Sequence, residues 1–292
     1  MYRGSELEQQ VYEPVHIRQV MAEIEYNLPQ YLKGFAQQPL RPVFQQRIEE
    51  YEKEREVYRD YLDLEALEEY EFDPNAFKSH TRKRCPIIRR CLMSKDEVMK
   101  AYKRSFNDTS GRAMLDTVRN IAEFGREYVS TFDDDEHENA AKYSDLGLEP
   151  LNEAGLQCLG VIGYGIQSSL LFGQYARCFA HRSQNAVWSL YFLSGRKEFG
   201  LQEGSEFLMV DRTHGTCEQN FFYPAELFGF YALWAYVLLE SACQDHKVAF
   251  DPHYRYVYLS AFCDHVAERH REDINTYKWS SEHVESRPYF WL

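Results

Sequence analysis

The chain has 292 residues, of which 44% are hydrophobic and 15% aromatic, and it carries a formal net charge of −13 at pH 7. This hydrophobic content is ample for a folded core and excludes general disorder. The negative charge argues against a general nucleic-acid binder, because affinity for nucleic acids depends largely on neutralising phosphates.

Cysteine usage and the start of the chain indicate a compartment. The seven cysteines are odd in number and scattered, and the opening residues MYRGSELEQQ contain no apolar run of the kind found in a secretory signal. We therefore expect free thiols in a reducing compartment, the cytoplasm. The 22 tyrosines suit extensive interfaces as well as a core.

A long charged helix is predicted from about residue 43 to residue 70. Between Glu49 and Asp73 the chain has twelve acids and three bases, so much of this helix should face solvent. An apolar stripe with heptad-like spacing runs along it and comprises Phe44, Ile48, Tyr51, Tyr58 and Leu62. One interpretation is a solvated helix packed along one side. The other is an exposed arm whose stripe docks on a partner or on a second copy.

A basic strip follows this helix at Lys78–Arg90, with the sequence KSHTRKRCPIIRR. Taken alone, such a strip could bind phosphate. Because it comes directly after an acidic helix, we expect it to neutralise that helix instead. The acidic run Asp133–Glu138 should be a solvated loop, and it marks a boundary between two regions of the chain. The division is a charged helical N-terminal region at 1–140 and an apolar globular helical core at 141–292.

The most apolar long segment is Ala154–Leu193. Its first 23 residues carry no charge, which is the length of a membrane span, but their amides, hydroxyls and glycines favour helices buried in a soluble core. A second apolar helix is predicted at Ala225–Cys243. A strand is predicted at Glu206–Asp211, as one arm of a hairpin across Gln202–Gly204. The predicted fold is thus mainly α (α+β), with a helical bundle-like core, a small β-hairpin and the long charged N-terminal helix.

Candidate site residues flank the apolar segments. The candidate residues for a polar ligand-binding pocket are Gln167, Arg182, Asn185, Asp211 and His214. Arg177 and His181 would share a helical face at a spacing of four and could hold an anion. His265 and His270 lie five apart, roughly 140° around a helix, so they do not predict a zinc site. The sequence has no P-loop, GxSxG or HExxH motif, and we predict no metal and no cofactor.

These patterns favour a non-catalytic protein for interaction or assembly. Its partner would be another protein or a second copy of itself, with no membrane partner and no nucleic acid. An inhibitor of another enzyme, such as those carried by phages or mobile elements, is one form that this function takes. The alternative is a hydrolase or nuclease that uses the polar pocket. A third interpretation is a nucleic-acid adaptor that uses the basic strip.

Overall fold

A computed structural model describes most of the chain. Backbone positions are described for residues 11–95, 99–195, 208–211, 216–219, 224–244 and 248–282.

Thirteen α-helices lie within these described residues. In chain order they are α1 Pro14–Phe35, α2 Leu40–Tyr61, α3 Leu64–Glu68, α4 Pro74–Arg84, α5 Pro86–Met93, α6 Met99–Asp108, α7 Gly111–Ser130, α8 Asp134–Glu138, α9 Tyr164–Tyr175, α10 Gln184–Leu193, α11 Ala225–Gln244, α12 Arg255–Arg269 and α13 Arg271–Glu282. Short 3-10 turns link α8 to α9 and precede α12. The mainly α prediction is confirmed.

The small β-hairpin is not supported in the predicted form. Strand β1, Leu208–Asp211, runs antiparallel to β2, Thr216–Gln219, with Leu208 opposite Gln219. The partner of β1 thus comes after it in the chain, whereas the prediction placed the partner before Gln202. Residues 202–204, where the turn was expected, lie outside the described residues.

The predicted helix at 43–70 is two helices. The α2 helix ends at Tyr61, and Asp63 then caps the short α3 by accepting a hydrogen bond from the backbone N–H of Ala66 at 2.9 Å. An aspartate at this position satisfies an N–H group that has no partner within the helix, which explains the break.

The core centres on α10, α11 and α12. The N-terminal helices contribute to it directly, since α1 packs on α11 and α2 packs on both α9 and α12. Phe44 of α2 shows the closeness of this packing, with its ring 5.0 Å from that of Tyr258 and 5.2 Å from that of Phe250. Buried side chains from both sides of residue 140 form one cluster. The division into 1–140 and 141–292 stays a prediction.

The apolar segment 154–193 contains α9 and α10, both rich in buried residues. Among the helices of the described residues, none has the length and apolarity needed to cross a bilayer.

Helix α4 is held close to α7, and this contact positions the basic strip. A Cβ atom at Gly111, the first residue of α7, would overlap the backbone of Pro74 at the start of α4. Only glycine allows this approach. The strip itself forms the last two turns of α4 and the first five residues of α5, with α6 packed beside α5.

Candidate functional site

An open groove of about 670 Å³ lies between α4, α5 and α6. Its volume is within the range typical of ligand pockets, ~300–1,000 Å³. The described side chains that line it are Arg82, Lys83, Arg84, Arg89, Leu92, Met93, Lys103 and Asn107. We call this feature the basic groove. Five of these side chains are cationic.

Local sequence explains why the cations converge. Asp73 caps α4 by accepting a hydrogen bond from the N–H of Ala76, and Pro86 begins a new helix just after Arg84. The chain therefore turns sharply at Cys85, so that the end of α4 and the body of α5 face a common space. Basic residues in the last turn of α4 also complement the negative end of its dipole, worth about 0.3–1 kcal/mol each.

Two of the five cations are fixed by neutral groups. The Arg82 guanidinium donates to Asn107 Oδ1 at 2.9 Å and lies 5.5 Å from the ring centre of Phe106. Lys103 Nζ donates to the backbone carbonyl of Ser94 at 2.5 Å. These contacts orient the two side chains without cancelling their charge.

None of the five cations makes an ion pair with a carboxylate that the structure describes. Arg90 differs, because it pairs with Glu54 of α2. The expectation that the strip neutralises the acidic helix therefore holds at Arg90 but not at the groove-lining residues. His80 responds to this uncompensated charge: its pKa is lowered by burial first and then by Arg84.

Apolar side chains also reach the groove. Met93 is 68% exposed and Leu92 is half-buried. An exposed apolar side chain among cations suits a ligand that carries both acidic and apolar groups.

The predicted polar pocket is not assembled from its described members. Gln167 is 1% exposed, and its side-chain amide donates to the carbonyls of Leu151 and Leu156 at 2.9 and 3.1 Å. It therefore tethers the 3-10 turns to α9 from inside the core. Arg182 is also buried, with its guanidinium 5.1 Å from the ring centre of Tyr164.

The remaining pocket residues lie elsewhere or are not described. Asn185 is exposed and donates to Asp264 on α12 at 2.7 Å, so it belongs to a surface network. Asp211 is placed only as the last residue of β1, and His214 falls outside the described residues. A sealed Gln167 and an exposed Asn185 cannot line one accessible pocket.

The apolar stripe along α2 is covered by other parts of the chain, which corrects the interpretation as an exposed arm. Phe44, Tyr51, Tyr58 and Leu62 are each at most 8% exposed, and Ile48 is half-buried. Tyr51 even accepts a hydrogen bond from the backbone of Ala176 at 3.1 Å. The face that α2 presents to solvent is its acidic one.

The acidic run 133–138 is a short helix with buried partners, not a solvated loop. Asp134 and Glu138 both accept hydrogen bonds from Arg255, whose side chain is completely buried. Arg177 also binds Asp134, and these two arginines lower the pKa of Asp134 to about 2.

His181 and Arg177 bind different partners. It lies 2.9 Å from Ser169 Oγ and stacks on Phe172. The expected anion pair of Arg177 and His181 does not form, because residues 176–183 are not helical.

Within the described residues, no three His, Cys, Asp or Glu side chains gather in a way that could hold a metal ion. His265 contacts Gln38, while His270 lies between Tyr31 and Asp273.

Part of the basic groove was visible in the sequence. The strip 78–90 contains the four cations that α4 and α5 contribute to the groove, but the groove itself was not predicted, and Lys103 and Asn107 of α6 were missed. The signal that could have found them is the short basic run Lys100–Arg104.

Comparisons with models of protein families, with curated proteins and with solved structures found no match.

Proposed function

We propose that this protein is a non-catalytic interaction protein that binds an acidic segment of a partner protein in the basic groove. The observation that carries the proposal is the set of five groove-lining cations without a described carboxylate partner, on a chain whose net charge is −13.

Charge segregation supports this proposal. Several arginines outside the groove are paired with carboxylates, as Arg90, Arg47 and Arg112 are. Five uncompensated cations in one groove repel each other, and a bound anionic group relieves that repulsion. Arginine also binds carboxylates through two parallel hydrogen bonds, which gives such a site directional preference.

The acidic surface beside the groove favours a short segment over a long polyanion as its ligand. At physiological ionic strength charges act over about 8 Å, and the acidic helix α2 borders the strip through the Arg90–Glu54 pair. A nucleic acid that extended beyond the groove would pass over acidic surface. A peptide of a few residues would not, and Leu92 and Met93 offer it apolar contact.

Free cysteines agree with the expected compartment. The six cysteines whose side chains are described are all unpaired. This favours the reducing cytoplasm as part of the proposal.

The test is binding of a fluorescently labelled poly-glutamate peptide to the full chain, followed by anisotropy. We expect the double variant Arg84→Glu, Arg89→Glu to bind at least tenfold more weakly. The matched control is Arg18→Glu, Arg126→Glu, which changes the net charge equally at two exposed arginines outside the groove. We expect this control to lose less than about threefold, because distant charges are screened.

Two results would overturn the proposal. One is equal loss of affinity in both double variants, which would indicate only a general charge effect. The other is tighter binding of a single-stranded oligonucleotide than of poly-glutamate, which would assign the groove to nucleic acid.

A further inference from the structure

A second charged surface lies at the other end of α4. The segment Asp60–Asp73 contains seven acids and no base, and most of these acids are exposed. Within it, Glu71 is held by Arg112 and Arg119. Glu65 and Glu69 make no ion pair with any described residue, so their charges are available to a partner.

The same segment carries the most exposed apolar side chain in the described part of the chain. Phe72 is fully exposed, just before the cap residue of α4. A fully exposed phenylalanine inside an acidic segment has the composition of the ligand that the basic groove fits, with acids for its cations and an apolar ring for Leu92 and Met93.

The two surfaces are joined by an open helix face. The exposed residues of α4 include Asn75, Ala76, Ser79 and Lys83, and the middle of this face carries only small side chains. Small side chains allow another helix to approach closely. The helix has 11 residues, so Phe72 and the groove are separated by roughly 16 Å at a rise of 1.5 Å per residue.

We propose that the partner segment is supplied by a second copy of this chain, with the α4 helices of the two copies antiparallel around a two-fold axis. This proposal rests on the proposed function of the groove. In such a pair, each copy presents its acidic segment and Phe72 to the groove of the other. One symmetry operation then matches both surfaces at once, as closed two-fold dimers require.

The experiment measures the mass of the full chain in solution by light scattering and native mass spectrometry. We expect the wild type to have twice the chain mass of 34.6 kDa. The groove variant Arg84→Glu, Arg89→Glu and the segment variant Glu65→Lys, Glu69→Lys should each be monomeric at the same concentration. An equimolar mixture should recover the dimer, since each reversed surface then meets its complement.

Phe72→Ala tests the apolar contact separately from charge. We expect it to raise the dimer dissociation constant at least tenfold, because buried aromatic anchors dominate many interfaces. Circular dichroism and thermal melting of every variant show whether it is folded. The double variant Arg18→Glu, Arg126→Glu should remain dimeric.

The outcomes separate this inference from the function on which it rests. A monomeric wild type that still binds poly-glutamate in the groove overturns the two-fold pairing and leaves the proposed function standing. A wild-type dimer that survives both charge reversals, or a mixture that does not reassociate, also overturns the pairing. Equal loss of poly-glutamate binding in the groove variant and in the control variant Arg18→Glu, Arg126→Glu overturns the proposed function itself.

Discussion

The arginines of this chain differ in what lies next to each guanidinium. Arg255 is sealed in the core with two carboxylates, and removing such a partner typically costs several kcal/mol. Arg90 makes a surface pair with Glu54, worth at most about 1 kcal/mol. Arg84 has no described carboxylate partner, and its charge remains available for binding. Identical residues thus differ in whether their charge is neutralised by the fold itself.

Two histidines are kept neutral inside the fold and should make stability depend on pH. Burial lowers the pKa of His137 to about 3 and that of His181 to about 4. The unfolded chain binds these protons near pH 6.5. Between these values the unfolded state therefore holds more protons, and the folded state loses stability as the pH falls.

We expect the free energy of unfolding to fall by about 2 kcal/mol for each of these histidines between pH 7.5 and pH 5. Urea denaturation at several pH values measures the effect. The variant His181→Asn should lose part of this pH dependence, whereas His253→Gln, at a 70% exposed side chain, should keep it. A free energy of unfolding that is constant across this range would contradict the expectation.

Single residues were the hardest level to predict. The basic strip was identified, and its groove-lining members follow from a local run. The partners of Arg255 could not be predicted, because Glu138 lies 117 residues away in the chain. Gln167 was misjudged for the same reason: the sequence shows an amide in an apolar segment but not the two carbonyls that satisfy it.

Helices as elements were predicted far better than their contacts. The apolar run located α11 to within a few residues, because nearly all of its faces are buried. Helix α1 continues through Pro29 to Phe35, although proline commonly ends or kinks a helix. An interior proline removes one hydrogen bond and crowds the preceding turn, but buried Leu28 and Leu32 hold the helix against the core on either side of it.

The packing of α2 on α9 depends on one missing side chain. A Cβ atom at Gly173 of α9 would overlap the ring of Tyr58, which is 1% exposed. We expect Gly173→Ala to lower the free energy of unfolding by about 1–3 kcal/mol, the usual cost of overpacking a core. Urea denaturation measures this.

The matched control for this substitution is Gly163→Ala. A Cβ atom at Gly163 would meet nothing within 4 Å, and its φ of −99° is open to any residue. The packing account fails if the two alanine variants are equally stable.

At the scale of the molecule, described residues on both sides of the boundary that charge patterning indicated share one core. Charge density distinguishes the surface of the N-terminal helices but not their buried faces. For this reason the sequence showed an acidic arm, while the structure shows Phe35 beside Phe262 and Phe44 beside Tyr258. The division at residue 140 predicts that a chain without residues 1–75 keeps a folded core, and these contacts favour the opposite result.

We expect a chain that lacks residues 1–75 to lose cooperative unfolding and its near-ultraviolet circular dichroism. The deletion removes the buried face of α1, including Val20, Ile24, Leu28, Leu32 and Phe35. At about 1.5–3 kcal/mol for each such side chain, the loss is comparable with the stability of a typical protein, about 5–15 kcal/mol.

Adding residues 1–75 as a separate fragment should restore part of the signal. A shortened chain that unfolds cooperatively on its own would instead establish that residues 76–292 fold without the N-terminal helices.

The buried thiols of this core can serve as probes of local opening. Cys85 lies between α4 and α5, Cys178 follows α9, Cys243 is in α11 and Cys263 is in α12. Burial raises the pKa of Cys85, Cys178 and Cys263 to about 12 and that of Cys243 to about 11. Alkylating reagents attack only the thiolate. Each buried sulfur therefore reacts only while its own surroundings are open, and it reacts faster where local opening costs less free energy. Timed alkylation followed by peptide mapping thus ranks the helices by local stability without any introduced label.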